Sequence, residues 1–336
     1  MTGTDVDRAI GTTRALIPAG TNASLLGLCL ACNVFSYFML PLLLVPWSRA
    51  WLYVLLPYVL MTPFHWSITH EAVHSRLHHC RLINEAAGRL ASMFFGAAFQ
   101  SLRFGHLLHH MRNGTPSDRP EYYDPDRSSR SAAALKYHLH LFFGAYAIEF
   151  ASLFLVLLPR PFSRRSFLAL TRRGNEANRD LARRLLRFID DRRRFREARI
   201  DSIASLMLLG AAGYCYGPDW MLWSSALVAR AIIRSYLDNG YHYGAPLASE
   251  QSAYNLSLPR TVQRALLNFN LHRVHHRYPM LPWSELPVAF DRDGDRFDGG
   301  FFDAMLRQLR GPIPSSRYAL VATSCTDAVS AKGARP

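Results

Sequence analysis

The sequence predicts an all-α integral membrane protein, with four transmembrane helices in two hairpins and a cytoplasmic helical cap that carries metal ligands. Three observations support this fold class. Nearly half of the 336 residues are hydrophobic (49%), whereas only 19% are charged. The apolar residues occur in long runs, and clusters of histidine follow the ends of these runs. A helix of about 20 apolar residues spans a bilayer, and imidazole is a common ligand of iron, copper, zinc and nickel.

The first hairpin is predicted from two apolar runs near the N-terminus. Residues 24–45 contain no charged side chain over 22 positions, which is enough to cross a hydrocarbon core of about 30 Å as a helix. The second run covers about residues 51–68, and the connection between the two runs is short. Residues 1–23 are mostly polar, and we expect them to form a mobile tail.

The second hairpin is predicted over residues 200–237, with a break at Gly217-Pro218-Asp219. Its halves are short, and Trp220 and Trp223 lie near the turn, where tryptophan is enriched at membrane interfaces. Each hairpin begins and ends on the same side of the membrane. The histidines that follow the two hairpins therefore share one compartment.

A further apolar run, residues 141–158, is long enough to cross the membrane but contains Glu149. It is followed by residues 160–199, which include 14 arginines and 5 acidic residues. The positive-inside rule places such a segment in the cytoplasm. A crossing between the histidines at 106–110 and these arginines would put the two on opposite sides. We therefore expect residues 141–158 to be interfacial or re-entrant.

The formal net charge of +14 requires a partner or a solvated surface. Nucleic acid is a poor candidate beside several membrane spans, whereas anionic lipid headgroups attract basic residues by about 1 kcal/mol each. A solvated arginine face and an acidic electron-donor protein are the alternatives. The five scattered cysteines predict no disulfide framework and suit a reducing compartment. Residues 311–336 are rich in small and polar side chains and are expected to be disordered.

Nine of the 14 histidines fall into four short clusters. A helix places residues i, i+3 and i+4 on one side, so each HxxHH cluster presents two imidazoles on one face and a third partly toward it. The clusters therefore predict a site for two metal ions that is rich in histidine and poor in carboxylate. They consist of His70 and His74; His106, His109 and His110; His242; and His272, His275 and His276.

Other metalloprotein classes fit the clusters less well. The segment from His70 to His74 matches HExxH, in which two histidines bind zinc and Glu71 would be the general base of a protease. A protease of this kind leaves both HxxHH clusters unexplained. Soluble carboxylate di-iron bundles need two Glu-x-x-His pairs, and only Glu71 and His74 have that spacing. A histidine-rich metal transporter would place its ligands within the spans rather than after them.

The combined motif resembles the membrane fatty acid desaturase and hydroxylase superfamily, whose boxes read HxxxH or HxxxxH, HxxHH and HxxHH. The third box also resembles the family in the flanking Asn268, Pro279, Pro282 and Trp283. The resemblance covers about residues 40–290. It implies a four-span, mushroom-shaped fold, a cytoplasmic centre of two iron ions, and an acyl chain in a tunnel beneath the metals.

The domain division that follows is a desaturase domain over residues 24–290, and a C-terminal segment over 291–336 that ends in the disordered tail. Box by box, the resemblance implies that the metal ligands are His70, His74, His106, His109, His110, His272, His275 and His276. His242 matches an additional histidine that some members supply after the last span.

In those members an Asn four residues before the additional histidine orients a metal-bound water, and this chain has Asp238 there, with Asn239 beside it. Three roles are open for Asp238. It binds metal through a water molecule, it holds His242 by a hydrogen bond, or it is an interfacial residue without a role at the metal. The remaining histidines are expected to lie outside the metal site, with His65 held by a structural polar partner. They are His65, His78, His79, His138 and His140.

The resemblance implies oxygen-dependent desaturation of a fatty acyl chain, carried by a lipid, by coenzyme A or by acyl carrier protein. The three-residue spacing of the first box resembles that of acyl-lipid desaturases. No haem or flavin motif is visible, so the electrons are expected from a separate ferredoxin or cytochrome b5-like protein. A hydroxylase, ketolase or alkyne-forming enzyme acting on an acyl or carotenoid substrate would share the same site.

Overall fold

The computed structural model describes residues 15–171, 176–247 and 252–315, and these residues are mostly helical, as predicted. Their α-helices in chain order are α1 Ala19–Val34, α2 Leu55–Leu60, α3 Thr62–Val73, α4 Arg81–Phe95, α5 Phe99–Arg112, α6 Arg130–Leu139, α7 Ala145–Leu155, α8 Arg160–Thr171, α9 Glu176–Asp190, α10 Arg192–Tyr216, α11 Trp220–Gly240, α12 Arg260–Ala265, α13 His272–Arg277, α14 Leu286–Arg292 and α15 Phe301–Arg307.

Two π-helical segments, several 3-10 turns and very short strands complete the described structure. The π segments are Phe35–Leu44 and His140–Gly144, and the 3-10 segments are Arg49–Val54, Pro116–Asp118, Gly217–Asp219, Trp283–Glu285 and Gln308–Arg310. The strands are β1 Tyr122–Tyr123, β2 Leu256–Ser257, β3 Gly299–Gly300 and β4 Ile313–Pro314. Strand β1 pairs in parallel with β4, and β2 pairs in parallel with β3.

The chain divides into two compact units, which are described separately. The first unit comprises residues 1–108, 145–234 and 280–285. The second comprises residues 109–144, 235–279 and 286–336.

Helix α1 and the π segment after it form one apolar helix, Ala19–Leu44, that is long and apolar enough to cross a membrane. It begins within the predicted polar tail, of which residues 1–14 lie outside the described structure. Its second half contains Pro41, which has no backbone N–H to donate. The wider π spacing accommodates this loss, and Val45 N–H donates to Leu40 O at 3.0 Å, five residues earlier.

The other predicted spans are less clear. The apolar helix Arg49–Leu60 is shorter than a span. Helices α10 and α11 meet at Gly217–Asp219, where the sequence predicted a break. A second stretch is long and apolar enough to cross a membrane only if the segments Arg130–Gly144 and Tyr146–Leu155 are counted as one broken helix. The four spans, the cytoplasmic cap and the interfacial position of residues 141–158 therefore remain predictions, and residues 172–175 and 316–336 lie outside the described structure.

The turns of the two predicted hairpins lie together within the first unit. Arg49, after the first apolar helix, forms an ion pair with Asp219, between α10 and α11. Around this pair, Trp47 is 83% exposed and Tyr214 is 86% exposed, and Trp220 is also exposed. Large exposed aromatic side chains at one end of a helical bundle are typical of a membrane–water interface.

An aromatic cluster forms the core between these helices. Tyr37, Phe94 and Trp223 meet edge to face, with ring centroids 5.2 and 5.4 Å from Tyr37. The hydroxyl groups are satisfied by backbone: Tyr37 donates to Phe94 O at 3.0 Å, and Tyr216 donates to Ser36 O at 2.6 Å. Edge-to-face packing and paired hydroxyl groups allow tyrosine to be buried at little cost.

A polar network surrounds the buried Arg230 of α11. Its guanidinium donates to His65 Nδ1 at 2.6 Å and to Thr62 Oγ1 at 3.2 Å, and it also contacts the Tyr58 hydroxyl. His65 Nε2 in turn lies 2.9 Å from Ala91 O, to which it donates. His65 therefore has the structural polar partners that the sequence predicted.

The second unit is built from short helices that backbone hydrogen bonding alone would not stabilise. The hydroxyl group of Tyr137 on α6 donates to Gln308 O at 2.9 Å, and the backbone N–H of Ile313 donates to Glu121 O at 2.7 Å. Arg273 on α13 is buried and forms ion pairs with Asp295 and Asp298. These contacts fix α13 against the segment that follows α14.

Gly88 permits α4 to pack closely against the helices that carry His70 and His106. A Cβ atom at position 88 would lie 2.9 Å from Ala72 Cβ of α3 and would overlap the ring of Phe99 of α5. We predict that Gly88→Ala lowers the free energy of unfolding by about 1–3 kcal/mol through overpacking. Gly27→Ala is the control, because no heavy atom of residues 15–171, 176–247 or 252–315 outside its own helix lies within 4 Å of the added Cβ. Thermal unfolding of both variants measures the difference, and equal midpoints would contradict the packing argument.

Candidate metal centre

Three of the predicted ligands lie together in the first unit. His70 is within α3, His74 is at the C-terminal end of α3, and His106 is within α5. The ring centroid of His70 lies 4.6 Å from the ring centroid of His74 and 4.6 Å from that of His106. The Nε2 atoms of His74 and His106 are 2.8 Å apart. All three side chains are buried.

The C-terminal end of α3 is held by side chains from α4 and α5. Arg103 donates to Ala72 O at 3.0 Å and to Val73 O at 3.1 Å, so that its positive charge lies at the negative end of the helix dipole. Asn84 also donates to Ala72 O, at 2.9 Å. Ser75 then takes a left-handed conformation with φ of 59°, which is unfavourable for a residue other than glycine. These bonds fix the direction of His74.

Glu71, the possible base of a protease, has a different set of contacts. Burial raises the pKa of its carboxyl to about 8, although the Trp283 backbone N–H and the charge of Arg76 both favour the ionised form. The Trp283 N–H donates to Glu71 Oε2 at 3.2 Å, and the Trp283 indole N–H donates to Asn22 Oδ1 at 2.9 Å. Glu71 therefore anchors the segment after the third box.

Four predicted ligands form a tight group in the second unit: His109, His242, His272 and His276. Their candidate ligand atoms all lie within 4.8 Å of one another. The Nε2 atom of His242 lies 3.2 Å from that of His109 and 3.0 Å from that of His272. The Nε2 atoms of His272 and His276 are 3.1 Å apart.

The remaining two ligands, His110 and His275, form a pair in the same unit, with their Nε2 atoms 3.0 Å apart. Adjacent residues on a helix point about 100° apart. For this reason His109 and His110 belong to different groups, and so do His275 and His276. The two same-face histidines of the third box, His272 and His276, share the four-histidine group, as the helical spacing predicted. The third histidine, His275, was expected to point partly toward the same pocket, but it belongs to the pair with His110.

Hydrogen bonds on the far side of each ring fix which nitrogen carries the proton. His109 Nδ1 lies 2.7 Å from Asp118 Oδ2, and His242 Nδ1 lies 3.1 Å from Ser252 O. Both partners are acceptors, so each Nδ1 carries hydrogen, and each neutral ring presents an Nε2 lone pair to the group.

The Nδ1 atom of His276 also has a hydrogen-bond partner outside the group. This partner is the side-chain amide of Asn113, whose nitrogen lies 3.0 Å from His276 Nδ1. The Asn113 Oδ1 atom is buried without a hydrogen-bond partner in the described structure. A 180° rotation of the amide exchanges its oxygen and nitrogen, and that orientation lets Oδ1 accept from His276 Nδ1–H. The Nε2 atom of His276 then carries a lone pair as well.

The spacing of these nitrogens fits a shared metal ion. Metal–nitrogen bonds of about 2.1 Å place two ligands at a right angle about 3.0 Å apart and two opposite ligands about 4.2 Å apart. The measured Nε2 separations of 3.0–3.2 Å agree with the right-angle value. Imidazole suits iron among other divalent metals, and no carboxylate belongs to the four-histidine group in the described structure.

The pKa values of three histidines in this group are shifted in different directions. Burial lowers the pKa of His242 and of His276 well below the ordinary value, and repulsion from neighbouring imidazoles adds to this effect. Burial also acts to lower the pKa of His109, but the charge and hydrogen bond of Asp118, with a smaller contribution from Asp238, raise it overall. A proton therefore competes with a metal ion more strongly at His109 than at His242 or His276.

The loop that carries His242 is held by residues that the sequence did not single out. Arg119 is buried and donates to the carbonyl oxygens of His242 and Ala245. Glu121 pairs with Arg119 at 3.5 Å and accepts from the Gly244 N–H at 3.2 Å. Arg119, Glu121 and Asp118 lie in a segment without helical spacing relative to any box, so no sequence pattern pointed to them.

Helix α13, which carries the third box, is held in place by Asn255 at its N-terminus and by its own Arg273. Asn255 Oδ1 accepts from the backbone N–H groups of Arg273 and Val274, at 3.1 and 3.3 Å. Arg273 donates to both carboxylate oxygens of Asp298, at 2.7 and 2.8 Å, and to Asp295. The arginine within the box thus orients the helix, while the histidines on either side face the other imidazoles.

The other candidate residues lie outside these groups. His78 and His79 stack on each other, with ring centroids 4.2 Å apart. Asn239 donates to Gln308 Oε1 at 2.9 Å and to the Tyr137 hydroxyl at 3.2 Å, so its amide is directed toward those residues. Asp238 contributes no atom to either metal-binding group, and it acts on His109 through its charge.

Comparison with protein families identifies the chain. A family model described as "Fatty acid desaturase" matches residues 46–300. The chain belongs to the fatty acid desaturase family. Comparison with curated proteins and with solved structures finds no match.

Membership supports several coarse statements. The family consists of oxidoreductases, is associated with membranes and acts on lipids. The family is typically metal-dependent, and this chain has groups of histidines that could hold metal ions. The matched residues include all four histidine clusters, and they extend beyond the expected domain end at residue 290.

The affinity of the four-histidine group for metal should depend on pH through His109. Because Asp118 raises the pKa of His109, protons displace metal as the pH falls from 8 to 6. We predict that Asp118→Asn weakens Co²⁺ binding at pH 8 by about 10–100-fold, since the hydrogen bond that orients His109 is altered. Lowering the pH from 8 to 6 should weaken Co²⁺ binding less in the variant than in the wild type, because the pKa of His109 falls when the carboxylate is removed. Asp124→Asn, at an acid that pairs with Arg127 on the surface, is the control. Chelator competition with metal-free protein gives the affinities, and parallel pH dependences in wild type and Asp118→Asn would contradict the assignment.

Proposed function

We propose that this protein catalyses oxygen-dependent desaturation of a fatty acyl chain at a centre of two iron ions. The observation that carries the proposal is the grouping of four histidines from three of the clusters, His109, His242, His272 and His276, in a chain of the desaturase family. The proposed ligands are the nine histidines of the four clusters: His70, His74, His106, His109, His110, His242, His272, His275 and His276.

The nine proposed ligands are considered within each unit. In the first unit, His70, His74 and His106 would hold one iron. In the second unit, His109, His242, His272 and His276 would hold the other, and the further proposed ligands His110 and His275 have their Nε2 atoms 3.0 Å apart. Iron in an all-imidazole environment would supply activation of O₂ with electrons from a reduced donor.

The protein's own residues would keep the ligands neutral and fixed. Burial disfavours protonation of His242 and His276, so both imidazoles are ready to bind a cation at neutral pH. Asp118 and the Ser252 carbonyl hold the rings of His109 and His242 by their Nδ1 atoms. Arg103 and Arg119 fix the backbone from which His74 and His242 project.

The proposed setting is a multi-pass membrane protein with its metal site on the cytoplasmic face. The apolar helix Ala19–Leu44 and the exposed aromatic residues at the hairpin turns support this setting. The substrate would be an acyl chain carried by a lipid, by coenzyme A or by acyl carrier protein. The electron donor would be a separate ferredoxin or cytochrome b5-like protein.

The two alternatives differ in how they fit the structure. A hydroxylase, ketolase or alkyne-forming enzyme would use the same ligands, so only the product distinguishes it. A zinc protease would need Glu71 as a free general base, whereas Glu71 accepts the Trp283 backbone N–H. It would also leave His109, His242, His272 and His276 without a role.

Expression in a host with suitable electron donors should yield acyl chains two mass units lighter than their precursors. We predict that His275→Ala abolishes this product, because it removes a ligand, and that the iron content falls below two per chain. His79→Ala is the matched control, since His79 lies outside the metal groups, and it should leave the product unchanged. Lipid mass spectrometry and metal analysis measure the two effects.

Other products would reject the named reaction. Chains sixteen units heavier without an alkene would indicate a hydroxylase, and a loss of four units would indicate an alkyne or conjugated diene. A single tightly bound zinc with peptidase activity would reject the proposal altogether.

The proposed topology is open to a labelling test. In a variant without native cysteines, Arg165→Cys and Asp126→Cys should react with an impermeant thiol reagent from the cytoplasmic side. Ser48→Cys, in the turn beside Asp219, should react only from the opposite side. Each of these positions is exposed. Labelling of Arg165→Cys and Asp126→Cys from different sides would make residues 141–158 a true span.

A further inference from the structure

Trp66 is a buried tryptophan beside the three histidines of the first unit. It lies on α3, one helical turn before His70. Its ring centroid is 5.8 Å from those of both His70 and His106. The side chain is only 4% exposed. Trp66 is therefore part of the wall of the site from which these imidazoles project.

The indole N–H of Trp66 has no hydrogen-bond partner among the described residues. An indole nitrogen can only donate, and a buried donor without an acceptor costs stability. Such groups are rare in folded proteins, and each requires an explanation. A ligand that binds beside the indole and brings its own acceptor atom provides one.

Contacts with Arg234 and Phe95 hold the ring of Trp66 in place. The guanidinium carbon of Arg234 lies 3.9 Å from the ring centroid, and Arg234 is held in turn by an ion pair with Glu149. Phe95 packs against the same indole, with centroids 6.0 Å apart. A donor held in this way is preorganised, because it need not move to meet an acceptor.

We propose that the Trp66 indole N–H donates a hydrogen bond to a small ligand on the metal ion held by His70, His74 and His106. The ligand is a water molecule or an anion with a free lone pair. This inference rests on the proposed function, because it requires a metal ion at these histidines. Trp66 is thus a positioning residue that would strengthen the binding of this small ligand and fix its orientation.

The test measures azide binding to the oxidised, iron-loaded protein in lipid nanodiscs. Trp66→Phe removes the donor and keeps an aromatic ring. Replacement of Trp66 by benzothienylalanine keeps the bicyclic shape and exchanges the N–H for sulfur, which guards against loss of packing. We expect both variants to retain the wild-type iron content and to bind azide about fivefold more weakly, the effect of one hydrogen bond.

Trp223→Phe is the matched control. Trp223 is also 4% exposed, and its buried indole N–H likewise has no partner in the part of the chain that the structure describes. It packs on Tyr37 and Tyr216 in the aromatic cluster. Its substitution should leave azide affinity unchanged. Equal azide affinity in wild type and both Trp66 variants, with iron content intact, would overturn the inference alone. So would unchanged azide affinity together with weaker binding of an acyl substrate. A wild-type protein that holds no iron would instead reject the proposed function.

Discussion

The structure depends on holding several imidazole lone pairs close together. His109, His242 and His276 each use Nδ1 for an outward hydrogen bond, so their Nε2 atoms face one another at the centre of the group. Lone pairs at about 3 Å repel unless a proton or a metal ion lies between them. Burial disfavours the proton at His242 and His276, and the arrangement therefore favours a metal ion.

Arginines that are buried or partly buried maintain this arrangement at three separate places. Arg103 holds the carbonyls at the end of α3, Arg119 holds those of the His242 loop, and Arg273 ties α13 to Asp295 and Asp298. Arginine suits this task because its planar group offers five donors in fixed directions and keeps its charge when buried. The arginine-rich composition of the chain thus has a structural component beside any interaction with anionic partners.

The histidines that the sequence singled out form groups that could hold metal ions, because the spacing within each box follows from helix geometry. It did not predict Asp118, Asn113 or Arg119, since the turns that bring these residues to the histidines have no periodicity. The separation of His109 from His110 was also missed, although the rotation of about 100° per helical residue requires it. The predicted break at Gly217–Asp219 was confirmed because glycine and proline act locally, independently of tertiary contacts.

The predicted membrane spans illustrate a limit of composition. Helix α11 contains Arg230 and Arg234, which count against a span in any test based on charge. In the structure both side chains are buried; Arg230 donates to His65 and Thr62, and Arg234 pairs with Glu149. Ionisable residues within membranes occur with such internal partners. The charges of α11 are therefore compatible with the proposed span, because their polar partners lie within the protein.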